Sequence, residues 1–171
     1  MDLYKLMEKR RSTRKFSNRK VPKYKIEKIL KAGQMAPSGA DQKPYIYIII
    51  EDTDLKKKIK IYSESIDKKH YSTAPQWFKK WMKEKNISLE KDFLIDASFL
   101  VVAAGDTKNP YWLESAWLSI AYVILAAENE GLSTLTYTPA DMNFLKDLLN
   151  FPKRLKPVVI LPVGYAKTKN Q

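Results

Sequence analysis

Arginine side chains cluster near the start of the chain, which reads Arg10-Arg11-Ser12-Thr13-Arg14. Guanidinium groups beside a hydroxyl are the donor set that binds a phosphate dianion, because each guanidinium presents parallel N–H bonds to anionic oxygens. In an extended segment, residues 10, 12 and 14 project to the same side of the backbone. The cluster therefore indicates a phosphate site, and the alternative is a basic strand that faces solvent.

A second candidate site is the loop Ala36-Pro37-Ser38-Gly39-Ala40-Asp41. Its small residues allow the backbone to approach a flat ligand closely, and Ser38 and Asp41 add hydrogen-bonding groups. The same residue types are common in ordinary turns. The loop is thus a candidate ligand contact, with an ordinary turn as the alternative.

The helices and strands that position these two segments can be predicted from the rest of the sequence. We expect a single domain that covers residues 1–171. Helical spacing predicts helices from Asp2 to Lys9, from Val21-Pro22 to Ala36, and over 55–66, 113–127 and 142–149. Apolar and β-branched runs predict strands at 45–50, 98–104, 133–137 and 158–163. The helix over 113–127 has a broad apolar face that belongs in the core, and Gly131 is expected to end it.

Residues 70–95 are the hardest stretch to interpret. Tyr71, Trp77, Phe78 and Trp81 are expected on a short basic helix flanked by loops. We interpret this region as a lid or insertion whose aromatic residues either wall a substrate pocket or pack the helix against the sheet. The lone His70 is expected to be a surface residue in a polar loop.

The spacing of the two candidate segments resembles that of the FMN-dependent nitroreductase family. Residues 10–16 match the Arg-Arg-Ser-x-Arg-x-Phe start of that family in full, and the loop matches its Ala-Pro-Ser-Gly motif. The loop departs afterwards, with Asp41 for the typical Asn, Lys43 for Gln and Tyr45 for Trp. Further matches at 125–127, 131–132 and 161–165 extend the resemblance over nearly the whole chain.

The resemblance implies an α+β nitroreductase-like fold, with a central mixed sheet flanked by helices. It also implies an intertwined homodimer with FMN at the subunit interface. By analogy, Arg10, Arg11 and Ser12 would hold the phosphate and ribityl chain, and Arg14 would lie toward the pyrimidine edge of the flavin. Pro37, Ser38 and Gly39 would contact the same flavin from the other subunit, with Asp41 beside them if Lys43 or Arg14 offsets its charge.

Two further cofactor contacts follow from the same resemblance. The segment 136–139 aligns with the stretch that presents a backbone N–H to flavin N5, and Thr138 is the expected donor because Pro139 has no N–H. A basic pair near the C-terminus touches the phosphate in related proteins, and Lys167 and Lys169 are the candidates here.

Composition excludes several other classes of protein. The 171 residues contain no Cys and one His, which rules out disulfides, thiolate catalysis and the usual zinc or iron–sulfur sites. The sequence has neither a Gly-x-Gly-x-x-Gly nor a P-loop motif. No apolar run approaches the roughly 20 residues that cross a bilayer, so we expect a cytoplasmic protein without a membrane partner. The net charge of +12 favours an anionic ligand.

We therefore predict an FMN-dependent oxidoreductase that takes hydride from NADH or NADPH and reduces nitroaromatics, quinones or a related small electrophile by a ping-pong mechanism. The flavin carries this chemistry, so no side chain is expected to act as nucleophile or obligatory acid, and no metal is expected. Reductive dehalogenation is an alternative within the family. An alternative of a different class is a basic nucleic-acid-binding module, against which stands the spread of basic residues over many helices.

Overall fold

Residues 2–167 are described by the structure, a computed structural model, and they fold into seven helices, one 3₁₀ turn and four strands. The helices are α1 (Leu3–Lys9), α2 (Lys23–Gly33), α3 (Thr53–Ser72), α4 (Gln76–Glu84), α5 (Phe93–Asp96), α6 (Trp112–Asn129) and α7 (Phe144–Leu148). The strands are β1 (Tyr45–Ile50), β2 (Phe99–Asp106), β3 (Ser133–Thr134) and β4 (Leu155–Gly164), and the 3₁₀ turn covers Gly39–Asp41.

One sheet, in the order β1-β2-β4-β3, forms the centre of the molecule. Its strand pairs are all antiparallel, from Tyr45 opposite Gly105 to Thr134 opposite Val163. The sheet was predicted to be mixed, but its four strands pair only in antiparallel fashion. Parallel pairing among residues 2–167 is limited to an isolated bridge between Ser12 and Thr134. The order places the two longest strands, β2 and β4, side by side in the middle.

Helices cover both faces of this sheet because β2 is apolar on both sides. Val101 and Ala103 face a cluster that contains Ile29 of α2 and Ile120 of α6. Leu100 and Val102 face the opposite cluster, to which α3, α5 and α7 contribute. This alternation with a period of two is the pattern of a strand buried on both sides.

The strand predicted over 133–137 is shorter in the structure. It ends at Thr134, and Tyr137 rejoins the sheet through an isolated bridge to Ile160. Continuing the register from Thr134–Val163 places Leu135 opposite Pro162. Since proline has no N–H to donate, the ladder is interrupted at this point.

Helix α6 ends as the sequence predicts. Gly131 has φ of +72°, and the N–H of Leu132 donates to the carbonyl of Ala127 at 2.8 Å. Together with the bond from Gly131 N–H to the carbonyl of Glu128, this is a Schellman motif. It turns the chain directly into β3.

The region 70–95 contains a short helix as expected, but the helix before it extends further than predicted. Helix α3 continues through His70, which is exposed on its last turn and does not lie in a loop. Helix α4 follows with one buried residue, Met82. Within residues 2–167, no helix combines the length and the apolar character needed to cross a membrane.

Candidate functional site

A cavity of about 750 Å³ lies between α4, the segment 14–18 and the segment 135–138. We call it the lid cavity. Its aromatic lining consists of Phe16, Tyr71, Phe78, Trp81, Phe93 and Tyr137. Charged side chains of both signs also line it: the cationic Arg14, Lys15, Lys91 and Lys167, and the acidic Glu90, Asp92 and Asp96. An aromatic wall beside side chains of both charges suits a planar ligand that carries charged groups.

The two ends of the chain meet at the floor of this cavity. The N–H of Lys167 donates to the carbonyl of Lys15 at 2.9 Å, and Ser17 N–H donates to the carbonyl of Tyr165 at 2.9 Å. Phe16 forms an antiparallel bridge with Ala166 between them. Because the segment 15–17 pairs with the residues that follow β4, Arg14 and Lys167 line the same cavity. Lys169, predicted as the partner of Lys167, lies outside the described residues.

The other residues of the arginine cluster lie outside the cavity lining. Arg11 turns back on α1, where its guanidinium donates to the carbonyl of Glu8 and, at 3.0 Å, to that of Arg10. Ser12 is exposed beside Thr134. The half-buried Arg10 side chain has no hydrogen-bond or ion-pair partner within residues 2–167. Its guanidinium is therefore available to an anion.

The predicted loop at 37–41 lies elsewhere in the chain, against the start of α6. Gly39 N–H donates to the hydroxyl of Ser115 at 3.1 Å, and Lys43 N–H donates to the hydroxyl of Ser38 at 2.9 Å. Asp41 is exposed and lies 3.8 Å from the ammonium group of Lys43. The structure thus separates Pro37, Ser38, Gly39 and Asp41 from the lid cavity of the same chain.

This loop has an unusual backbone. Ala40, Asp41 and Lys43 have φ between 46° and 52°, in the left-handed region that residues other than glycine rarely adopt. Such strain costs about 1–3 kcal/mol for each residue and is concentrated at functional sites. The conformation therefore supports a ligand or partner contact for the loop.

The predicted N–H donor is on the cavity wall. Thr138 is exposed and lines the lid cavity, and its N–H has no acceptor in the described part of the chain. Pro139 is buried directly after it. Thr138 is thus a residue of the cavity wall whose backbone N–H is unsatisfied among residues 2–167.

A buried polar network behind the cavity was missed by the sequence analysis. The carboxylate of Asp67 accepts a hydrogen bond from the Tyr137 hydroxyl at 2.7 Å and another from the N–H of Ala140 at 3.1 Å. The ammonium group of Lys91 lies 3.6 Å away, and the Tyr71 hydroxyl donates at 3.4 Å. Asp67 and Lys91 are 1% and 3% exposed, so this is an ion pair inside the protein.

The pKa values of this network follow from its burial. Burial lowers the pKa of Lys91, and the charge of Asp67 opposes the shift. Burial, aided by Asp67, raises the pKa of Tyr71 to about 12 and that of Tyr137 above its usual value. Both tyrosines therefore remain protonated donors at neutral pH.

A signal for this network was present in the sequence. Ile59, Ser63 and Asp67 are spaced by four residues, so Ser63 and Asp67 continue the buried stripe of α3. A charged residue on the buried face of a helix requires a buried partner. That partner, Lys91, lies 24 positions further along the chain, which helical periodicity does not predict.

Comparison with known proteins gives consistent matches along the chain. The profile of the Nitroreductase family matches residues 7–165. An iodotyrosine deiodinase from Thermotoga neapolitana is 37% identical over 95% of this chain and 88% of its own length. A second, from Haliscomenobacter hydrossis, is 31% identical over 96% of this chain and 79% of its own length.

Solved structures agree with the sequence matches. A crystal structure of oxidized iodotyrosine deiodinase bound to FMN and 3-iodo-L-tyrosine is similar, with a TM-score of 0.94 and 37% identity. The alignment covers 97% of this chain and 90% of that one. A nitroreductase family protein from Clostridium novyi NT has a TM-score of 0.79 at 21% identity, over 99% of this chain and 88% of the other. The predicted α+β nitroreductase-like fold is confirmed.

Proposed function

This chain belongs to the nitroreductase family, and from that premise we propose that it is an FMN-dependent oxidoreductase that removes iodide reductively from 3-iodo-L-tyrosine. The observation that carries the proposal is the lid cavity, which combines an aromatic wall with a buried lysine. The deiodinase relatives support the same substrate. The reaction is the alternative, and not the main activity, that the sequence analysis gave.

Reduction of nitroaromatics or quinones has less support. The nitroreductase structure described above shares the fold at 21% identity, and a likeness at that level says nothing about substrate. The stronger matches are deiodinases. We therefore place dehalogenation first.

The residues present fit FMN, which has an anionic phosphate and a flat ring system. Arg10 has a guanidinium without a protein partner in residues 2–167, and Arg14 and Lys167 line the cavity. We propose that Arg10, Arg11 and Ser12 hold the phosphate and ribityl chain. Lys167 is the described member of the basic pair proposed at the same phosphate, and Lys169 is the other.

At the ring system, Arg14 and Thr138 have separate roles in the proposal. When bound, FMN supplies the electrons for the reaction, which it receives from NADH or NADPH. The positive charge of Arg14 stabilises negative charge on the pyrimidine side. The free N–H of Thr138 donates to the ring, and Pro139 fixes the backbone that follows.

The lid cavity offers matching groups for an iodinated tyrosine. Phe78 and Trp81 stack at 5.7 Å between ring centroids, with an interplanar angle of 25°, and present apolar surface to an aromatic ring. We propose that the ammonium group of Lys91 donates to the substrate carboxylate, and that the hydroxyl of Tyr71 turns to it from its 3.4 Å contact with Asp67. Replacing the C–I bond by a C–H bond consumes two electrons and one proton and releases iodide.

The homodimer remains part of the proposal. Leu113, Trp117, Leu118 and Tyr122 form an apolar outer face on α6 and are 39–46% exposed in the single chain. The strained loop at 37–41 lies at the start of the same helix. A second copy packed on α6 would bring Pro37, Ser38, Gly39 and Asp41 to the flavin of its partner, which explains why they lie outside the cavity of their own chain.

A direct assay separates the two activities. The purified protein, loaded with FMN, is reduced anaerobically with NADH, with NADPH or with dithionite, and is then mixed with 3-iodo-L-tyrosine. We expect iodide and tyrosine in equal amounts, measured by ion-selective electrode and chromatography. Protein that takes up no FMN contradicts the cofactor. Reduced protein that releases no iodide but reduces a nitroaromatic contradicts dehalogenation and supports the nitroreductase alternative.

A further inference from the structure

A second cavity, of about 770 Å³, adjoins the lid cavity. It lies between the end of α1, the segment 17–19, the turn 131–133 and residues 165–167. We call it the outer cavity, and its volume is that of a small-molecule site. Among residues 2–167, only Lys167 both lines it and has a contact with FMN or 3-iodo-L-tyrosine in the proposed function. The outer cavity therefore has no role in that proposal.

The two cavities meet at the floor formed by the two ends of the chain. Phe16, Asn18 and Lys167 belong to the lining of both. Phe16 is buried in the floor, whereas Asn18 and Lys167 are exposed at its edge. A ligand longer than either cavity can therefore extend from one to the other across these two polar side chains.

Arg19 and Tyr165 form a flat platform in the outer cavity. The guanidinium of Arg19 lies over the Tyr165 ring, 4.0 Å from its centroid, and Arg19 is exposed. Hydrogen bonds fix the backbone of both residues. The hydroxyl of Ser98 donates to the carbonyl of Arg19 at 3.2 Å, and the N–H of Ser17 donates to the carbonyl of Tyr165 at 2.9 Å. Because bases stack on guanidinium planes and on aromatic rings, the platform suits a purine.

The charged side chains of the outer cavity are mostly basic. They are Lys9, Arg19 and Lys167, with Glu128 as the acid in the lining. The carboxylate of Glu128 lies 3.7 Å from the ammonium group of Lys9, so these two charges offset each other. Two positive charges remain in the lining, and a pyrophosphate group carries two negative charges.

The basic residues near the start of the chain exceed what FMN requires. The segment 9–20 contains no acid and has seven basic residues: Lys9, Arg10, Arg11, Arg14, Lys15, Arg19 and Lys20. The proposed flavin contacts use Arg10, Arg11 and Arg14. A single phosphate dianion therefore does not account for Arg19, which lies in the other cavity.

We propose that the outer cavity binds the adenosine diphosphate part of NADH or NADPH. The adenine stacks on the guanidinium of Arg19, the pyrophosphate lies between Arg19 and Lys167, and the nicotinamide extends past Asn18 into the lid cavity. The inference rests on the proposed function, because a pyridine nucleotide is the source of electrons there. It gives the reductant a site of its own, apart from the groups that bind 3-iodo-L-tyrosine.

The first test measures binding without any reaction. Protein loaded with oxidised FMN is titrated by calorimetry with ADP-ribose, with 2′-phospho-ADP-ribose and with inorganic pyrophosphate. Loading with FMN keeps these probes away from the proposed phosphate contacts of the flavin. We expect at least one of the two adenine probes to bind more tightly than pyrophosphate. The tighter of the two identifies NADH or NADPH as the nucleotide that fits the site.

Arg19→Ala should weaken binding of that adenine probe by about tenfold, since it removes the stacking surface and one charge. Arg19→Lys keeps the charge without the plane and should recover only part of the loss. Both variants are expected to fold, because Arg19 is exposed. Arg154→Ala is the matched control, since Arg154 pairs with Asp106 and lines neither cavity.

The second test compares two hydride donors that differ only in the part assigned to the outer cavity. Reduced nicotinamide mononucleotide has the nicotinamide of NADH but lacks its adenosine monophosphate part. Bleaching of the flavin absorbance is followed anaerobically, with no halogenated substrate present. Arg19→Ala should raise the donor concentration for half-maximal rate about tenfold for the nucleotide that fits the site. It should leave that for the mononucleotide within about twofold of wild type.

Three results would overturn the proposal. Pyrophosphate that binds as tightly as the adenine probes would reduce the outer cavity to a general anion site. Equal effects of Arg19→Ala on the dinucleotide and the mononucleotide, or none on either, would place the adenosine elsewhere. Flavin that neither NADH nor NADPH reduces would remove the ligand itself. Iodide release from protein reduced with dithionite tests dehalogenation separately, so the two proposals can fail independently.

Discussion

Each arginine of the cluster at residues 10–14 has a different environment, although all of them fit the same family motif. Arg14 lines the lid cavity, and Arg11 already donates to two carbonyls at the end of α1. Arg10 has no partner in residues 2–167. The energetic cost of removing each side chain should therefore differ.

Arg10→Ala should weaken FMN binding by about 1.5–3 kcal/mol, the magnitude of a hydrogen bond to a charged group. Arg11→Ala should cost less, because its guanidinium is shared with backbone carbonyls. Fluorescence titration of FMN measures both dissociation constants. Arg154→Ala is the control, since Arg154 pairs with Asp106 away from the cavity. An unchanged constant for Arg10→Ala would remove that residue from the site.

Alkaline pH should destabilise the fold through Tyr47. Burial raises its pKa from 10.0 to about 12, despite a hydrogen bond with Ser119 that acts in the opposite direction. Between these two pH values the folded state keeps a proton that the unfolded state loses. The contribution of Tyr47 to the free energy of unfolding is therefore fully present below pH 10 and is lost as the pH rises toward 12. The contribution is at most about 1.4 kcal/mol per pH unit.

Urea unfolding at a series of pH values from about 9 to 11 measures this slope. Tyr47→Phe should make the fall with pH shallower, whatever its effect on stability at neutral pH. Tyr4→Phe, at a position 75% exposed, is the matched control and should retain the wild-type slope. Equal slopes in all three proteins would contradict the assignment to Tyr47.

Helix α4 has aromatic side chains on two sides, and only one side faces the cavity. Phe78 and Trp81 line it, whereas Trp77 is 70% exposed and lies outside the lining. Trp81 is thus a candidate substrate contact, and Trp77 on the same helix serves as the control for its replacement.

Trp81→Ala should weaken binding of 3-iodo-L-tyrosine by about tenfold, because an aromatic contact of about 1.4 kcal/mol is lost. FMN affinity should fall less, since Arg10, Arg11 and Ser12, which are proposed to hold the phosphate and ribityl chain, lie outside the cavity lining. Trp77→Ala should change neither constant by much. Titration of the FMN-loaded protein with 3-iodo-L-tyrosine, and of FMN-free protein with FMN, gives the two dissociation constants. Equal losses of 3-iodo-L-tyrosine affinity in the two variants would show that α4 contributes only packing.

At the scale of the whole molecule, the outer face of α6 determines whether the proposed site is complete. Trp117→Glu places a charge on that apolar face and should dissociate a dimer that uses it. Sedimentation velocity with and without FMN measures the state. If the flavin binds between subunits, FMN should promote association in wild type and less so in the variant.

Ile61→Glu is the corresponding control, because Ile61 is 65% exposed on α3, away from this face. It should leave both the association state and FMN affinity unchanged. A wild-type monomer that binds FMN with full affinity would contradict the interface proposed for the loop at 37–41.

The sequence predicted those elements whose signals are local. The strand from Tyr45 to Ile50 and the glycine stop at Gly131 were confirmed because residue type and spacing determine them. The end of β3 depended on Pro162, a residue of another strand. The left-handed backbone of Ala40 and Lys43 could not be predicted, because neither residue is glycine.

The candidate site was predictable to a smaller extent. Arg14 and Thr138 were named, and the structure places both in one cavity. The pairing of Asp67 with Lys91 and with Tyr137 was missed, since tertiary packing alone brings those residues together. Family resemblance supplied roles for matching motif positions, but not for polar residues that this chain buries between its elements.

The pairing of the segment 15–17 with residues 165–167 has a consequence for biosynthesis. The floor of the cavity consists of backbone from nearly opposite ends of the chain, and contacts of such sequence separation form late. A nascent polypeptide still attached to the ribosome before β4 emerges would lack that floor, however well its first helices had formed. Capture of the cofactor should therefore follow the emergence of β4, and flavin supplied during synthesis should not rescue chains that terminate before Leu155.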